Sequence, residues 1–492
     1  MMLTNGGIRI AILMLATAAW TCSCGGSRQP RNLVLIVSDA LRMDMLGCYG
    51  GPARTPHIDR LARQGTMFVN SYSTAPTTMP SAVSMLTGCR ARTYTFDHRM
   101  VYLDYLDKRM PSAFFRVGDG VRTLAEVMAE KGFDTRVSME NGLVRVCNLL
   151  QGFSRLPGGG LLPPQRRREI EERLDFSREN KAYDAMYGPL DFLLQEHSGK
   201  PFFLFKWIFD PHSPYDPPPR FRAGVENLAA QLPRPGIFYS GFKDPVLREK
   251  LENNRVSQAE RDYISALYRA EVESVDHRVG AILKALEARG TRRHTLVVFT
   301  ADHGECLGDY NMYGHGRAVH PPLVRVPLIF SGPGIPRGRS VKAVISHLDL
   351  TPTLAELFKI NGTSAMQGKS YAGVFRGRTL SDRDVYFDYF SNVLEEWTGV
   401  DGLLSEGFQL VVDRRQGAPR FHLYDLSRDP AAVRDTAAAM TRTVQRMFAR
   451  LQEIRKNNRA LLLEHAGMVR GDLDPGAERE KARRLLESLG YL

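Results

Sequence analysis

The sequence predicts an α/β protein: a doubly wound, mostly parallel sheet with helices on both faces, followed by a small C-terminal α+β subdomain. Three observations predict it. Unbroken apolar, β-rich runs recur at Leu33–Ser38, Phe202–Phe205, Thr295–Thr300 and Val326–Phe330, as in parallel strands buried on both faces. Helical patterns lie between them at Ile58–Arg63, Thr123–Lys131, Asn180–Leu194 and Asp262–Ala288, and strands that alternate with helices specify such a sheet. After about Phe375 the pattern changes to short strands and turns, then a helix from Ala437 to Arg455.

Taken in order, residues 1–24 read as a targeting segment. Arg9 is the one charge before an apolar run, Ile10–Trp20, which is too short to span a bilayer but suits a signal h-region. Ser23-Cys24-Gly25 resembles a bacterial lipoprotein cleavage box, with Thr21 where leucine is usual. The expectation is an exported periplasmic or cell-envelope protein held to the membrane by a lipid on Cys24, with plain secretion as the alternative. Residues 32–375 form the main α/β domain, 376–460 the small subdomain and 461–492 a charged tail. Within the main domain, the Gly/Pro-rich stretch Leu156–Pro164 leads into Q-R-R-R-E-I-E-E-R, read as an insertion or mobile loop. Pro217 to about Asn254 is irregular and proline-rich, read as a lid or substrate loop. No internal repeat is visible.

Composition bounds the function. At 492 residues, with 43% apolar and 24% charged residues, the chain is an ordinary globular protein. The net charge of +12 suits an anionic partner. Zinc-finger spacing, an RNA-binding signature and a basic helix with heptads are all absent, so nucleic acid is not the expected partner. The arginine runs, 166–168 and 483–484, read as solvated faces. Of six cysteines, Cys22 and Cys24 belong to the targeting segment. Cys48, Cys89, Cys147 and Cys306 allow three pairings, among which sequence does not choose.

The residues that carry chemistry lie at strand ends. Asp39 terminates one buried run, and Asp302 with His303 terminates another. Ligands of open α/β sheets bind at the carboxyl ends of strands, so these three side chains can converge. A lone strand-end Asp is more often a helix cap or turn residue; Asp-His-Gly after an apolar strand favours metal ligation. Thr78 precedes a helix with proline in its first turn. It reads either as the N-cap or as a nucleophile in the positive potential of a helix start, where a tetrahedral anion binds well. A cation held by Asp39, Asp302 and His303 would stabilise its alkoxide. His212 sits between two prolines in Asp210–Tyr215, and His315 between two glycines. Flanking glycines permit close backbone approach to a ligand at His315; His212 reads by itself as a turn histidine packed on Tyr215 or as a substrate-side group, and His320 and His347 are read as structural.

In this order, these segments resemble the sulfatase branch of the alkaline phosphatase superfamily over roughly residues 32–435. Leu33–Gly50 is similar to the family's opening strand and metal-binding Asp, Thr55–Gly65 to its first helix, and Phe209–Tyr215 to its substrate-side His motif. Thr295–Glu305 (T-L-V-V-F-T-A-D-H-G-E) looks like its second metal motif, Gly314–Gly316 and Arg325–Ile329 match the family's next two segments, and His422–Pro430 is similar to its C-terminal subdomain. Ser73–Gly88 (S-T-A-P-T-T-M-P-S-A-V-S-M-L-T-G) is similar to the family signature, Cys/Ser-x-Pro-x-Arg followed by an apolar helix and Thr-Gly. In the family that Cys or Ser becomes formylglycine, whose hydrate attacks sulfate esters. The matching residue here is Thr78, and Ala82 holds the arginine position. A threonine cannot become formylglycine by that route.

The resemblance therefore implies a threonine-nucleophile variant, similar to the superfamily's phosphodiesterases and lipoteichoic-acid synthase-like transferases. There an acidic residue, Thr, Asp and His share one Mn²⁺ or Zn²⁺; the matching set here is Asp39, Thr78, Asp302 and His303. Ala40 stands where many members have a second Asp, and His303 where many have Asn. Nitrogen among the ligands favours Mn²⁺ or Zn²⁺ over Ca²⁺, which is left open. The family's equivalent of His212 contacts the ester oxygen and can protonate the leaving group; His315 replaces a residue that is often Lys. The expected activity is hydrolysis of a phosphate mono- or diester or phosphonate of an anionic small molecule, glycan or lipid head group, through a Thr78 adduct. The alternatives are a sulfate-ester hydrolase without formylglycine, a phosphoryl transferase acting on an envelope glycan or lipid, and a non-catalytic lipoprotein that binds an anionic glycan.

Overall fold

A computed structural model describes residues 29–91, 117, 121–141, 144, 148–156, 162–174, 176, 181–195, 199–232, 245–361, 366–381, 383–389 and 399–466. The expected targeting segment with Cys24, Cys147, and the tail beyond residue 466 lie outside these residues. Among the described residues no helix is long and apolar enough to cross a membrane.

The main sheet is built from β1 (Asn32–Ser38), β2 (Thr66–Phe68), β3 (Asp134–Met139), β4 (Ser154–Arg155), β5 (Phe202–Ile208), β6 (Thr295–Ala301), β7 (Leu328–Ser331) and β8 (Arg339–Val341). Their order is β8-β2-β7-β6-β1-β5-β3-β4. All pairings are parallel except those of β7, which runs against both β6 and β2. β1, β5 and β6 are buried along their whole lengths. Alternate residues feed opposite cores, as the strand period requires. Val34, Ile36 and Val297 meet α1 (Pro56–Arg63), α5 (Lys181–Leu194) and α6 (Gln258–Ala288) on one face. Leu33, Leu35 and Val298 meet α2 (Thr78–Thr87), α3 (Leu124–Ala129) and α7 (Leu350–Leu357) on the other. The doubly wound sheet is as the sequence predicts.

Register sets where the chemistry is. Ser38 pairs with both Ile208 and Ala301, so β1, β5 and β6 end level. Asp39, the Phe209–His212 segment and Asp302 therefore leave the sheet side by side.

Several elements differ from the sequence expectation. The short, polar β3 is half-buried near the sheet edge, and its alternation is too weak to announce it. The segment expected to be a mobile loop contains α4, Pro164–Leu174. Its Ile170 and Leu174 reach the core, while Arg166 and Arg167 pair with Asp191 and Asp184 of α5 at 2.6 and 3.6 Å. The described part of 217–254 contains short helices, among them Pro245–Glu252. α6 starts before Asp262 because Ser257 and Glu260 form a capping box there.

The C-terminal subdomain is an antiparallel sheet of β9 (Val385–Tyr389), β10 (Val400–Ser405), β11 (Phe408–Asp413) and β12 (Arg420–Asp425). One face packs on Val319 and Leu323 of the main domain. The other receives Val444, Met447 and Leu451 of α8 (Thr441–Ala466), which continues beyond the expected domain end at 460.

Candidate active site

The turn after β1 is fixed by the neighbouring strands. The Asp39 amide donates to the Ile208 carbonyl at 2.9 Å. Ala40 has a left-handed backbone, φ 55°, an unfavourable conformation for a residue with a Cβ. It is held there by its amide donating to Asp302 Oδ1 at 3.0 Å and its carbonyl accepting the Tyr268 hydroxyl at 2.6 Å. Asp302 Oδ1 also accepts the His303 amide at 2.8 Å. These contacts leave Asp39 Oδ1 and Asp302 Oδ2, both fully buried, without a hydrogen-bond partner.

His303 completes the cluster. Its Nδ1–H donates to the Gly304 carbonyl at 2.8 Å, so the Nε2 lone pair is free to act as a ligand. Nε2 lies 3.3 Å from Asp302 Oδ2, 3.7 Å from Asp39 Oδ1 and 3.4 Å from Thr78 Oγ1. Ligand atoms of Asp39, Asp302 and His303 all fall within 4.8 Å of one another.

Thr78 is the first residue of α2, and the extended Thr77 is the cap position. The N-cap alternative for Thr78 is therefore set aside: its hydroxyl points to His303 rather than to the helix amides. Ala82, one turn on, is fully buried in the apolar core.

Two further histidines close over the cluster. His315 lies with its ring centroid 4.3 Å from that of His303 and 4.8 Å from that of His212. Its Nδ1 meets Glu305 Oε1 at 3.0 Å. Gly316, at φ 81°, allows this loop to lie on Thr77: a Cβ there would be 3.0 Å from Thr77 Cγ2. His212 packs on Phe209 and donates Nδ1–H to the Ser213 carbonyl at 2.6 Å. Its loop is braced from below. Glu140 accepts the Phe209 amide and pairs with buried Lys206 and Arg278, and Arg278 pairs with Asp210.

Burial pushes the Asp302 carboxyl well above its ordinary pKa, with the Asp39 charge adding. Burial holds His303 well below the usual imidazole value, helped by His315. His212 is pushed down to about 4, chiefly by burial and then by His315, against the opposing pull of Asp39. Burial also works against a charge on His315, but Glu305 outweighs it and raises the pKa.

The donor set fits a divalent cation. Two buried carboxylate oxygens without donors, an imidazole nitrogen and a hydroxyl converge, and such a cation would remove the repulsion between the carboxylates. Of the sequence candidates, Asp39, Thr78, Asp302 and His303 meet here, with His212 and His315 alongside. His347 is buried and lowers the His303 pKa but is not among the clustered ligands, and His320 stacks on Tyr310 at 4.0 Å and meets Tyr424 of the C-terminal sheet. Sequence reasoning misses Glu305, Asn141 and Trp207. Glu305 is legible as the last residue of the Asp-His-Gly-Glu run; the other two carry no signal.

The Sulfatase family profile matches residues 31–360, more than half of the chain. The chain belongs to the sulfatase family. A second profile, N-sulphoglucosamine sulphohydrolase, C-terminal, matches residues 308–457 of this sulfatase-family protein. An arylsulfatase of Clostridium perfringens is 25% identical over 400 residues, covering 72% of this chain and 80% of that protein. A Delta 4,5-hexuronate-2-O-sulfatase of Bacteroides thetaiotaomicron is 25% identical over 450 residues, covering 84% and 86%. The phosphonate monoester hydrolase of Silicibacter pomeroyi shares the fold at a TM-score of 0.65 and 20% identity, covering 87% of this chain and 95% of that one. The chain is thus a sulfatase-family hydrolase of the alkaline phosphatase superfamily; the two relatives are sulfatases, and the phosphonate monoester hydrolase is a likeness of fold.

Proposed function

We propose that this sulfatase-family protein is a divalent-metal-dependent hydrolase of monoanionic phosphoryl esters, phosphodiesters or phosphonate monoesters, with Thr78 as an unmodified nucleophile. The observation that carries this reading is the Thr78 hydroxyl at 3.4 Å from His303 Nε2 beside two donorless carboxylate oxygens. Asp39, Asp302 and His303 would hold the ion, Mn²⁺ or Zn²⁺ by their mixed oxygen and nitrogen donors. When bound, it supplies Lewis acidity that favours the ionised Thr78 hydroxyl and the developing negative charge on phosphorus.

The chain's own groups divide the proton work. His212 donates through Nδ1, so its Nε2 is an acceptor and can take the Thr78 proton directly or through water. His315, with Glu305 at Nδ1, is the group stabilised as an imidazolium and is suited to protonate the leaving alkoxide. In the first step the Thr78 Oγ–P bond forms as the P–O bond to the leaving group breaks. In the second, water attacks phosphorus and Thr78 departs with a proton regained. Phosphothreonine can be released by this second displacement. A threonine sulfate lacks the elimination available to an aldehyde hydrate, which is why phosphorus is favoured over sulfur.

Charge narrows the substrate further. Asp39 raises the pKa of both His212 and His315, Glu305 raises that of His315, and His315 lowers that of His212. With a dication and a His315 imidazolium set against the carboxylates of Asp39, Asp302 and Glu305, the charges of these five groups cancel, which favours a monoanionic ester over a dianionic phosphate monoester. The test is turnover of aryl phosphodiester, phosphonate monoester, phosphate monoester and sulfate ester by Mn²⁺- and Zn²⁺-loaded protein. Diester and phosphonate turnover should exceed the other two by at least tenfold. Efficient sulfate release with phosphoesters ignored would restore the sulfate-ester reading.

A further inference from the structure

The two oxygens of Asp39 have different surroundings. Oδ2 accepts the indole N–H of Trp207 at 3.0 Å and the side-chain amide of Asn141, while Oδ1 has no donor. Trp207 belongs to β5, and Asn141 lies two residues beyond β3. A residue of one strand and a residue just past its neighbour therefore grip one oxygen. Asp39, Asn141 and Trp207 are all 0% exposed. Were these donors present only to satisfy a buried acid, they would be shared between its oxygens, because an unpaired buried carboxylate oxygen is costly. Here one oxygen is satisfied twice and the other, facing His303 and Asp302, not at all.

We propose that Asn141 and Trp207 are positioning residues for the metal centre: together they fix the rotation of the Asp39 carboxylate so that Oδ1 is presented to a divalent cation. Rotation about the bond to a carboxylate is soft, so two buried donors on separate backbone segments select one orientation out of a broad range. Both donors are neutral and non-ligating, so they orient Asp39 without competing with the ion for charge. The inference rests on the metal-dependent reading of this site.

The experiment is calorimetric titration of EDTA-dialysed protein with MnCl₂, comparing the parent with Asn141→Leu, Trp207→Phe and the double variant. Each single variant should raise the Kd for Mn²⁺ by about 10- to 100-fold, and the double variant by more than either. At saturating Mn²⁺, kcat should fall while KM stays near the parental value. Folded variants with the parental Kd and only a lower melting temperature in EDTA would show a structural contact and overturn the proposal. Should Asn141→Leu fail to fold, Trp207→Phe, which keeps an aromatic ring but loses the indole N–H and the volume of its second ring, decides the matter through the Mn²⁺ Kd of the folded protein. A parent that takes up neither Mn²⁺ nor Zn²⁺ would remove the metal-dependent reading itself, an outcome separate from a parent that binds and variants that bind as well.

Discussion

Thr78 sits one covalent step from two different fates, a helix cap or a nucleophile, and the difference is where its hydroxyl points. Because Thr77 takes the cap position, the Thr78 Oγ1 is left to the cluster. Thr78→Ala should lower turnover at least on the order of 10³-fold, about 4 kcal/mol of transition-state stabilisation, while Thr78→Ser retains part of it; steady-state kinetics at saturating metal checks both. Asp302 gives a prediction with opposite signs in two assays. Burial beside Asp39 makes its ionised form unfavourable in the metal-free fold, and asparagine would keep an acceptor for the Ala40 and His303 amides. Asp302→Asn should therefore raise the melting temperature in EDTA and abolish Mn²⁺ uptake measured by equilibrium dialysis. A variant that still binds the metal with parental stoichiometry would remove Asp302 from the ligand set.

Elements here are held by one another as much as by their own sequences. Helix α1 begins with Pro56, and its first free amides, those of His57 and Ile58, donate to Asp276 of α6 at 3.3 and 2.8 Å. Asp276→Ala strips that cap and should cost about 1–3 kcal/mol in urea unfolding. Burial pushes the Asp276 carboxyl up to about 7, partly opposed by these two amides, against roughly 3.9 in the unfolded chain. With a raised folded-state value, its contribution is complete below about pH 4 and is lost as pH rises through about 7. Asp276→Asn should flatten that decline when unfolding is compared at pH 5 and pH 8. The same mutual support explains α4: its arginine run reads as a solvated face in sequence, but acids of α5 and two core contacts make it a helix.

For the whole molecule, a resident cation and the fold should be thermodynamically linked. Metal at about 100 times its Kd adds roughly 2.7 kcal/mol to stability, so chelation should lower the melting temperature by several degrees, reversibly on adding Mn²⁺. The short apolar run before Ser23-Cys24-Gly25 carries a separate proposal of export and lipid anchoring. Mass spectrometry of the mature N-terminus should find acylated Cys24; an unmodified terminus downstream of it would remove the anchor and leave export standing.

What could be read along the chain was whatever local pattern encodes. Apolar runs marked β1, β5 and β6 because central parallel strands bury both faces and need no partner to be recognised. Asp39, His212, Asp302 and His303 were marked because each follows such a run, and Thr78 and His315 by their own segments, Ser73–Gly88 and Gly314–Gly316. The reversed direction of β7, the existence of β3, and the choice between cap and nucleophile at Thr78 were not local. Each depends on a partner outside the local window: β7 on β6 and β2, β3 on β5, and Thr78 on His303, 225 residues away. The tertiary structure alone brought Asn141 and Trp207 onto one oxygen of Asp39, since 102 and 168 residues separate these donors from their acceptor. Spacing along a chain says nothing about which strand ends are level; hydrogen-bond register across the sheet does, and it assembled the site.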